Sequence, residues 1–400
     1  MTHVLRCSGY GLVKTDIVRA RGCFLYDAHG KEYVDFEAGV WCAALGQGNE
    51  RVNQVLATQL AQIAHIAYRY TTPIVEEAAS EVLDSVGIPD GKVVFLSSGS
   101  EAVEFGVQVA RMLSNRPLLL TLHDSYLAAY GSAGRRNPGE WASFDWSHCA
   151  GCPHSERCDP ACAHLNEVQF DRIGGLVFEP GSSGGLVRFP PTQLVKALAD
   201  RVGQAGGLIV IDEVTTGMGR TGAWYGFQHY SLRPDIVALG KGLGNGYPVS
   251  AVALVGDVAR RLEGGPFHYA QSHQNDPLGC AVAREVINVL REDNLVQRSA
   301  KVGTDFLQGL IRLAERYDVV KDVRGRGLMI ALEFHDDDRG SLTTSTYHWL
   351  LDRSLLVGCK PAFNTLRFYP PLTIDEAEVG RLLEELDHAL ARVHNGDCNY

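Results

Sequence analysis

The stretch from Gly207 to Pro248 constrains the fold of this chain more than any other part of it. Two short apolar runs within it, Leu208–Ile211 and Ile236–Leu239, have the length and the β-branched content of buried strands. Asp212 directly follows the first run, and Lys241 follows the second after a single glycine. Because ligands in open α/β sheets bind at the carboxyl ends of the strands, we expect these two side chains to meet at one site.

An amine and a carboxylate at neighbouring strand ends suit pyridoxal 5′-phosphate (PLP). The amine forms a Schiff base with the cofactor, and the carboxylate keeps the ring nitrogen protonated so that the ring can accept electrons. Lys241 and Asp212 are therefore the predicted catalytic residues.

The same stretch closely resembles the sequence pattern of the class III (ω-type) aminotransferases, PLP enzymes of fold type I. The matching pieces are Asp212-Glu213-Val214, Gly217-Met218-Gly219-Arg220-Thr221-Gly222, Pro234-Asp235 and Gly240-Lys241-Gly242-Leu243. A single Asp or Lys at a strand end is common in βαβ proteins, whereas a match over both strands and the loops between them is specific. The resemblance implies an α/β fold whose large domain has a mixed, mostly parallel seven-stranded sheet flanked by helices. A smaller α+β domain would form from both termini.

The resemblance also implies a division of the chain into domains. Residues 1–45 would begin the small domain, residues 46–294 would form the large PLP-binding domain, and residues 295–400 would complete the small domain. Alternation and turn chemistry predict a hairpin over residues 22–36. Apolar spacing predicts helices, which cover residues 50–65, 75–86, 281–290 and 376–393.

A strand, a turn of small residues and a helix start at residues 93–102 predict an anion site. Free backbone N–H groups and the positive end of the helix dipole face an anion at such a turn. The turn is similar to the phosphate cup of the family, so Ser98, Gly99 and Ser100 are the predicted phosphate ligands.

Three further cofactor contacts are implied by the resemblance. Tyr126 would stack on one face of the PLP ring and Val214 would pack against the other. Thr215 stands where a Gln would bond the phenolic oxygen of the ring, and its hydroxyl has a shorter reach.

Arg367 is the predicted substrate-binding residue. Leu366-Arg367-Phe368-Tyr369-Pro370-Pro371 resembles the closing motif of the family, whose Arg binds the substrate carboxylate. A guanidinium matches a carboxylate bidentately, and a surface Arg on an edge strand is the alternative. Trp41 and Tyr70 are further pocket candidates, with a core position as the alternative for Trp41.

The segment His268–Cys280 implies a second subunit. It resembles a family segment in which a Thr reaches the phosphate of the neighbouring subunit, and Ser272 occupies that position. His273 replaces an aromatic residue there, and Gln274-Asn275-Asp276 replaces Gly-Gly-Asn. We therefore expect a homodimer whose loop departs from the family pattern.

A cysteine-rich insertion at residues 131–166 also departs from that pattern. Its thiols have the spacing C-x2-C-x5-C-x3-C and belong to Cys149, Cys152, Cys158 and Cys162. In a reducing compartment such closeness favours tetrahedral Zn²⁺ or an iron–sulfur cluster over disulfides. Unliganded thiols and a redox disulfide are the alternatives. A closed four-thiolate site has no open position for catalysis, so the predicted role is structural.

Composition narrows the class of protein. A net charge of -10 gives no indication of nucleic-acid binding. No apolar run is long enough to cross a membrane, and the first residues lack the apolar core of a signal peptide. We expect a cytoplasmic enzyme with no nucleic-acid or membrane partner.

The predicted function is a PLP-dependent transaminase. It would move an amino group from an amine or amino-acid donor to an α-keto acid through a Schiff base at Lys241. Because fold and cofactor do not fix the reaction, an aminomutase, a decarboxylase or an epimerase is the alternative, and Leu127, Thr215 and Gly184 depart from the family pattern. A non-catalytic, metal-stabilised scaffold is a further alternative, against which the intact Lys241 and Asp212 argue.

Overall fold

The helices and strands are those of a computed structural model that describes residues 3–5, 7, 11–154, 157–159, 161–335 and 340–394. The strands in these ranges are β1 Ile17–Arg21, β2 Phe24–Asp27, β3 Glu32–Asp35, β4 Lys92–Leu96, β5 Leu118–Leu122, β6 Trp141–Phe144, β7 Ile173–Phe178, β8 Leu208–Asp212, β9 Ile236–Leu239, β10 Ser250–Leu254, β11 Val320–Arg326, β12 Met329–Phe334, β13 Leu355–Leu356, β14 Gly358–Lys360 and β15 Thr365–Phe368.

Twelve α-helices accompany these strands in the described part of the chain. They are α1 Ala38–Trp41, α2 Glu50–Gln62, α3 Pro73–Val86, α4 Gly99–Ser114, α5 Gly131–Arg135, α6 Ala163–Asn166, α7 Thr192–Gln204, α8 Gly256–Glu263, α9 Pro277–Glu292, α10 Leu295–Arg316, α11 Ser341–Asp352 and α12 Glu376–His394. Short 3₁₀ helices cover Ser147–Cys149, Phe170–Arg172, Gly226–Tyr230, Lys241–Gly244 and Pro361–Phe363.

The central sheet has seven strands in the order β4-β10-β9-β8-β7-β5-β6. Neighbouring strands from β9 to β6 pair in parallel, whereas β10 runs antiparallel to both β9 and β4. The predicted α/β fold with a mixed, mostly parallel seven-stranded sheet is confirmed. Because β8 and β9 are parallel neighbours, their carboxyl ends lie side by side at the same edge.

Helices cover both faces of this sheet, so its central strands are buried along their whole length. Every residue of β7, β8 and β9 is buried. Ile209 and Ile211 pack in one apolar cluster with Leu194 of α7, while Val210 between them packs in a second cluster with Val103 of α4. Continuous apolar runs are typical of parallel strands buried in this way.

Two smaller sheets are formed by β1–β3 and β11–β15. One has the order β1-β2-β3-β13, and the other has the order β11-β12-β15-β14. β2 and β3 form the predicted hairpin, and β13 pairs in parallel with β3. The division of the chain at residues 45 and 294 stays a prediction.

The predicted helices are present with shifted ends. α2 ends at Gln62, and α9 begins at Pro277, four residues before the predicted start. Proline suits the first turn of a helix because the N–H that it lacks has no partner within the helix there. No helix in the described ranges combines the length and the apolar character that a membrane span requires.

Candidate active site

Lys241 stands at the carboxyl edge of the central sheet, where a 3₁₀ turn follows β9. Its φ of 41° lies in the left-handed region, which a residue with a side chain adopts at a cost in free energy. The Nζ of Lys241 donates a hydrogen bond of 2.9 Å to Oγ1 of Thr215. The loop after β8 thus fixes the direction of the amine.

Asp212 is the last residue of β8, on the strand next to that of Lys241. Its side chain is buried, and Oδ1 accepts a 3.0 Å hydrogen bond from the backbone N–H of Val214. Burial raises the pKa of Asp212 well above its usual range and the charge of Glu179 raises it further, whereas the charge of Lys241 lowers it. No salt bridge to Asp212 is present among the described residues. A buried carboxyl of this kind fits a protonated ring nitrogen as its partner.

Glu179 brings a third strand end to the same place. It follows β7, the neighbour of β8, and its side chain is buried. Its Oε2 accepts a 2.9 Å hydrogen bond from the N–H of Tyr126, and its Oε1 accepts one of 3.1 Å from the N–H of Ser183. Glu179 was not among the predicted site residues, although the strand-end rule that identified Asp212 applies equally to it.

The start of α4 also offers backbone amides to a cofactor. The Ser98 side chain accepts a 3.3 Å hydrogen bond from the N–H of Glu101, and Oγ of Ser100 accepts one of 2.9 Å from the N–H of Ala129. Both hydroxyls therefore already have protein partners. A Cβ at Gly99 would lie 2.4 Å from Cγ1 of Val214, so only glycine fits there. The amides at this helix start suit the phosphate of PLP.

Tyr126 presents an exposed ring beside a gap. The residue is 46% exposed, while Val214 is buried. A Cβ added to Gly184 would lie 3.7 Å from Cβ of Tyr126, an ordinary contact, so a side chain at position 184 would enter this space. The glycine leaves it open.

Arg367 is buried in β15, between β12 and β14, and the alternative of a surface Arg on an edge strand is wrong. Its Nη1 donates a 3.0 Å hydrogen bond to the carbonyl oxygen of Ser183. Its buried Nε has no partner among the described residues. A guanidinium with no acidic partner among the described residues suits a carboxylate.

Trp41 lies beside the guanidinium of Arg367. The indole is buried and stacks on the ring of Tyr369, with centroids 3.8 Å apart and planes inclined by 14°. The guanidinium of Arg367 lies 5.9 Å from the Trp41 ring centroid. Tyr70, in contrast, is 72% exposed, and Ser272 is also exposed in the single chain. Within the described ranges, neither residue makes a hydrogen bond or a ring contact with Lys241.

Arg220 is a buried cation that sequence reasoning did not assign. Its Nη1 donates to the carbonyl oxygens of Leu328, at 3.0 Å, and Pro370, at 2.5 Å. Burial lowers the pKa of Arg220 to about 9. The residue ties the loop after β8 to the turn between β11 and β12 and to the segment after Arg367. Each contact joins residues more than a hundred positions apart in the sequence, so no local sequence pattern could predict it.

The four cysteines of the insertion lie near one another without forming a finished metal site. Burial, together with the charges of Cys158, Cys162 and Cys152, raises the pKa of Cys149 to about 11. No three of these sulfur atoms, all of them in the described ranges, lie within 4.8 Å of one another. A tetrahedral ion would require the loop to close.

Comparisons with known proteins complete the description of the site. A family model described as Aminotransferase class-III matches residues 8–127 and 148–390. An acetylornithine aminotransferase of Streptomyces coelicolor is 30% identical, over 97% of this chain and 94% of that protein. A leucine/methionine racemase of Thermococcus litoralis is 29% identical, over 95% and 91%. The solved structure of a PLP-bound amine transaminase from an uncultivated Pseudomonas species has a TM-score of 0.85 and 27% identity, over 98% and 99%.

Proposed function

We propose, on the premise that the chain belongs to the class-III aminotransferase family and is a PLP-dependent aminotransferase, that Lys241, Asp212 and Arg367 carry its reaction. When bound, PLP supplies an electron sink for the negative charge that develops on the substrate carbon. One observation supports the assignment above all. The amine of Lys241 and the buried carboxyl of Asp212 stand at the ends of adjacent parallel strands.

Each residue has a distinct task in this proposal. The amides of Gly99 and Ser100 would hold the phosphate of PLP, and Asp212 would accept the hydrogen bond of its protonated ring nitrogen. Nζ of Lys241 would hold the cofactor covalently. Lys241 would also move the proton at the substrate carbon, with Nζ oriented by Thr215.

Arg367 selects the substrates by their carboxylates. Its buried guanidinium, which has no acidic partner among the described residues, suits a carboxylate better than an uncharged group. The donor class that follows is an amino acid or another amine with a carboxylate, and the acceptor is an α-keto acid. Because Gly184 supplies no acidic partner for Arg367, the guanidinium stays available in both halves of the cycle.

Amino transfer from a panel of amines to α-keto acids tests this function. We expect the parent enzyme to form the new amino acid and the Lys241→Ala variant to form none, because no other residue can take the place of the amine. Lys196→Ala, at an exposed position of α7, is the matched control and should behave as the parent. Full amino transfer by Lys241→Ala would contradict the assignment.

An epimerase is the second candidate, and the similarity to a racemase favours it over the other rival reactions. Incubation of the holoenzyme with a single L-amino acid and no keto acid separates the two functions. Amino transfer predicts no D-enantiomer by chiral chromatography, whereas racemisation predicts its accumulation without any keto acid.

We also propose that the enzyme is a homodimer in which Ser272 reaches the cofactor phosphate of the partner subunit. Exposed apolar side chains support an interface, and they include Val40, Leu60, Ile63, Tyr68 and Tyr70. Analytical ultracentrifugation should give a dimer, and Ser272→Ala should lower the affinity for PLP. A monomer that retains PLP fully would contradict this.

The cysteine cluster is proposed as a structural site for zinc or an iron–sulfur cluster. Its support is the closeness of four thiols in sequence and the mutual influence on the pKa of Cys149. Metal analysis should give about one thiolate-bound zinc per chain, or iron with sulfide, and Cys158→Ser should lose this thiolate-bound metal. Protein without metal would refute the proposal. Reduced thiols also accord with the proposed cytoplasmic location, which cell fractionation would test.

A further inference from the structure

Two histidines and one aspartate meet where the segment after α2 faces the loop before α9. Nδ1 of His65 lies 3.2 Å from Oδ1 of Asp276, and Nδ1 of His273 lies 3.0 Å from Oδ2 of Asp276. The two imidazole centroids are 4.6 Å apart. Within the described part of the chain, this is the one group of three His, Cys or acidic side chains whose ligand atoms lie within 4.8 Å of one another.

These separations match the ligand shell of a transition metal. With metal–nitrogen and metal–oxygen distances of about 2.0–2.1 Å, ligand atoms stand about 3.3 Å apart in a tetrahedron and about 3.0 Å apart in an octahedron. The two nitrogen-to-oxygen distances of 3.2 and 3.0 Å already fall at these values. Two imidazole nitrogens and one carboxylate suit zinc, cobalt or nickel.

The carboxylate of Asp276 contacts the two imidazoles and does not cap its own helix. It occupies the N-cap position of α9, yet its side chain makes no capping hydrogen bond. Its two oxygens instead face the two histidines. The carboxylate thereby gives up the usual stabilisation of a helix start, which a capping Asp would provide.

The loop that carries His273 and Asp276 is anchored before any ion binds. Oδ1 of Asn275 accepts a 2.8 Å hydrogen bond from the N–H of Phe95, and the N–H of Asn275 donates one of 2.9 Å to the carbonyl oxygen of Phe95. Both imidazoles are exposed, with 42% of the His65 side chain and 58% of the His273 side chain accessible. In the single chain the site is therefore held in place and accessible to the remaining ligands.

We propose that His65, His273 and Asp276 bind one divalent transition-metal ion of the zinc, cobalt and nickel class. The ion fastens the segment after α2 to the loop that carries Ser272. This site is separate from the four cysteines and does not depend on the amino-transfer reaction. His273 and Asp276 are two of the positions at which this loop departs from the family pattern. Metal binding gives this departure a chemical reason.

Metal titration of the full-length PLP-loaded protein tests the proposal. After treatment with a chelator, Co²⁺ binding is followed by calorimetry at neutral pH. We expect one equivalent without a thiolate-to-cobalt charge-transfer band, still present in the Cys158→Ser variant. Loss of a residue that only supports a metal ligand lowers metal affinity by about 10–100-fold. His65→Ala and His273→Ala each remove a ligand itself, so each should lower the Co²⁺ affinity by more than this.

His348→Ala is the matched control, since it removes an exposed histidine of α11. It should leave the stoichiometry and the affinity unchanged. Circular dichroism of the metal-free variants verifies that each is folded. If His65→Ala and His273→Ala bind Co²⁺ as the parent does, or if the parent binds no ion outside the cysteines, the group is a hydrogen-bonded trio only and the proposal is overturned.

Discussion

Thr215 determines where the amine of Lys241 points. A hydrogen bond to a charged group contributes about 1.5–3 kcal/mol, so its loss should slow the reaction by about 10- to 100-fold. We expect Thr215→Val to lower kcat to this extent, measured by steady-state amino transfer. Thr215→Ser keeps the hydroxyl and should retain most of the activity. Equal rates for the Val variant and the parent would show that the 2.9 Å contact has no role in turnover.

Asp212 should matter for the rate more than for binding. Asp212→Asn keeps the shape of the side chain and removes its charge, so it should lower kcat by at least about 100-fold, the cost of losing one electrostatic stabiliser. PLP content, measured after gel filtration, should stay close to that of the parent. Asp171→Asn, at an exposed position, serves as the control. An unchanged kcat in Asp212→Asn would remove this residue from the mechanism.

Among the helices and strands, the sequence predicted the bounds best for strands that are buried along their whole length. β8 and β9 were placed to within a residue, because strands covered on both faces are continuous apolar runs. Lys241 and Asp212 followed from those strand ends. The burial of Arg367 and the contacts of Arg220 could not be predicted, since both depend on packing between segments far apart in the sequence.

The short helix α1 could not be predicted from the sequence for a different reason, which is its backbone conformation. In α1, Ala38, Gly39, Val40 and Trp41 all have positive φ values. Val is branched at Cβ and strongly disfavours this region. Only the surrounding structure, including the stack of Trp41 on Tyr369, can hold such a turn.

The start of α4 is the element most sensitive to a single methyl group. Gly99→Ala places a Cβ 2.4 Å from Cγ1 of Val214, so either the helix start or Val214 must move. We expect the variant to lose PLP on dialysis under conditions in which the parent keeps it. Gly203→Ala in α7 is the control, because a Cβ there meets nothing within 4 Å. It should bind PLP normally and gain about 0.5–1 kcal/mol of stability. Normal PLP retention by Gly99→Ala would contradict the proposed cup.

For the molecule as a whole, a buried carboxyl makes stability depend on pH. Burial raises the pKa of Glu213 to about 7, against hydrogen bonds from Thr216, Gly226 and Phe227 that lower it. The native state therefore holds this proton more tightly than the unfolded chain. Between the ordinary pKa of Glu and about 7, the unfolded state binds fewer protons, so a rise in pH destabilises the native state, by about 3 kcal/mol when complete.

Glu213→Gln removes this titration. The variant should have a lower Tm than the parent near pH 5, where the parent keeps its proton, and the gap should narrow toward about pH 8. Differential scanning calorimetry across this range measures both. Glu76→Gln, on an exposed face of α3, should reproduce the slope of the parent. A constant gap between Glu213→Gln and the parent would show that Glu213 does not titrate in this range.

The parallel pairing of β3 with β13 imposes an order on biosynthesis. Val34 meets Leu355, so about 320 residues separate the two partners along the chain. At about 5–20 residues per second, a ribosome needs roughly 15 to 60 s to supply β13 after β3 has emerged. During that interval Val34 and Phe36, fully buried in the finished protein, lack the strand that completes their sheet. The segment that carries β3 therefore leaves the ribosome long before it can reach its native pairing, and a chaperone has that interval in which to act.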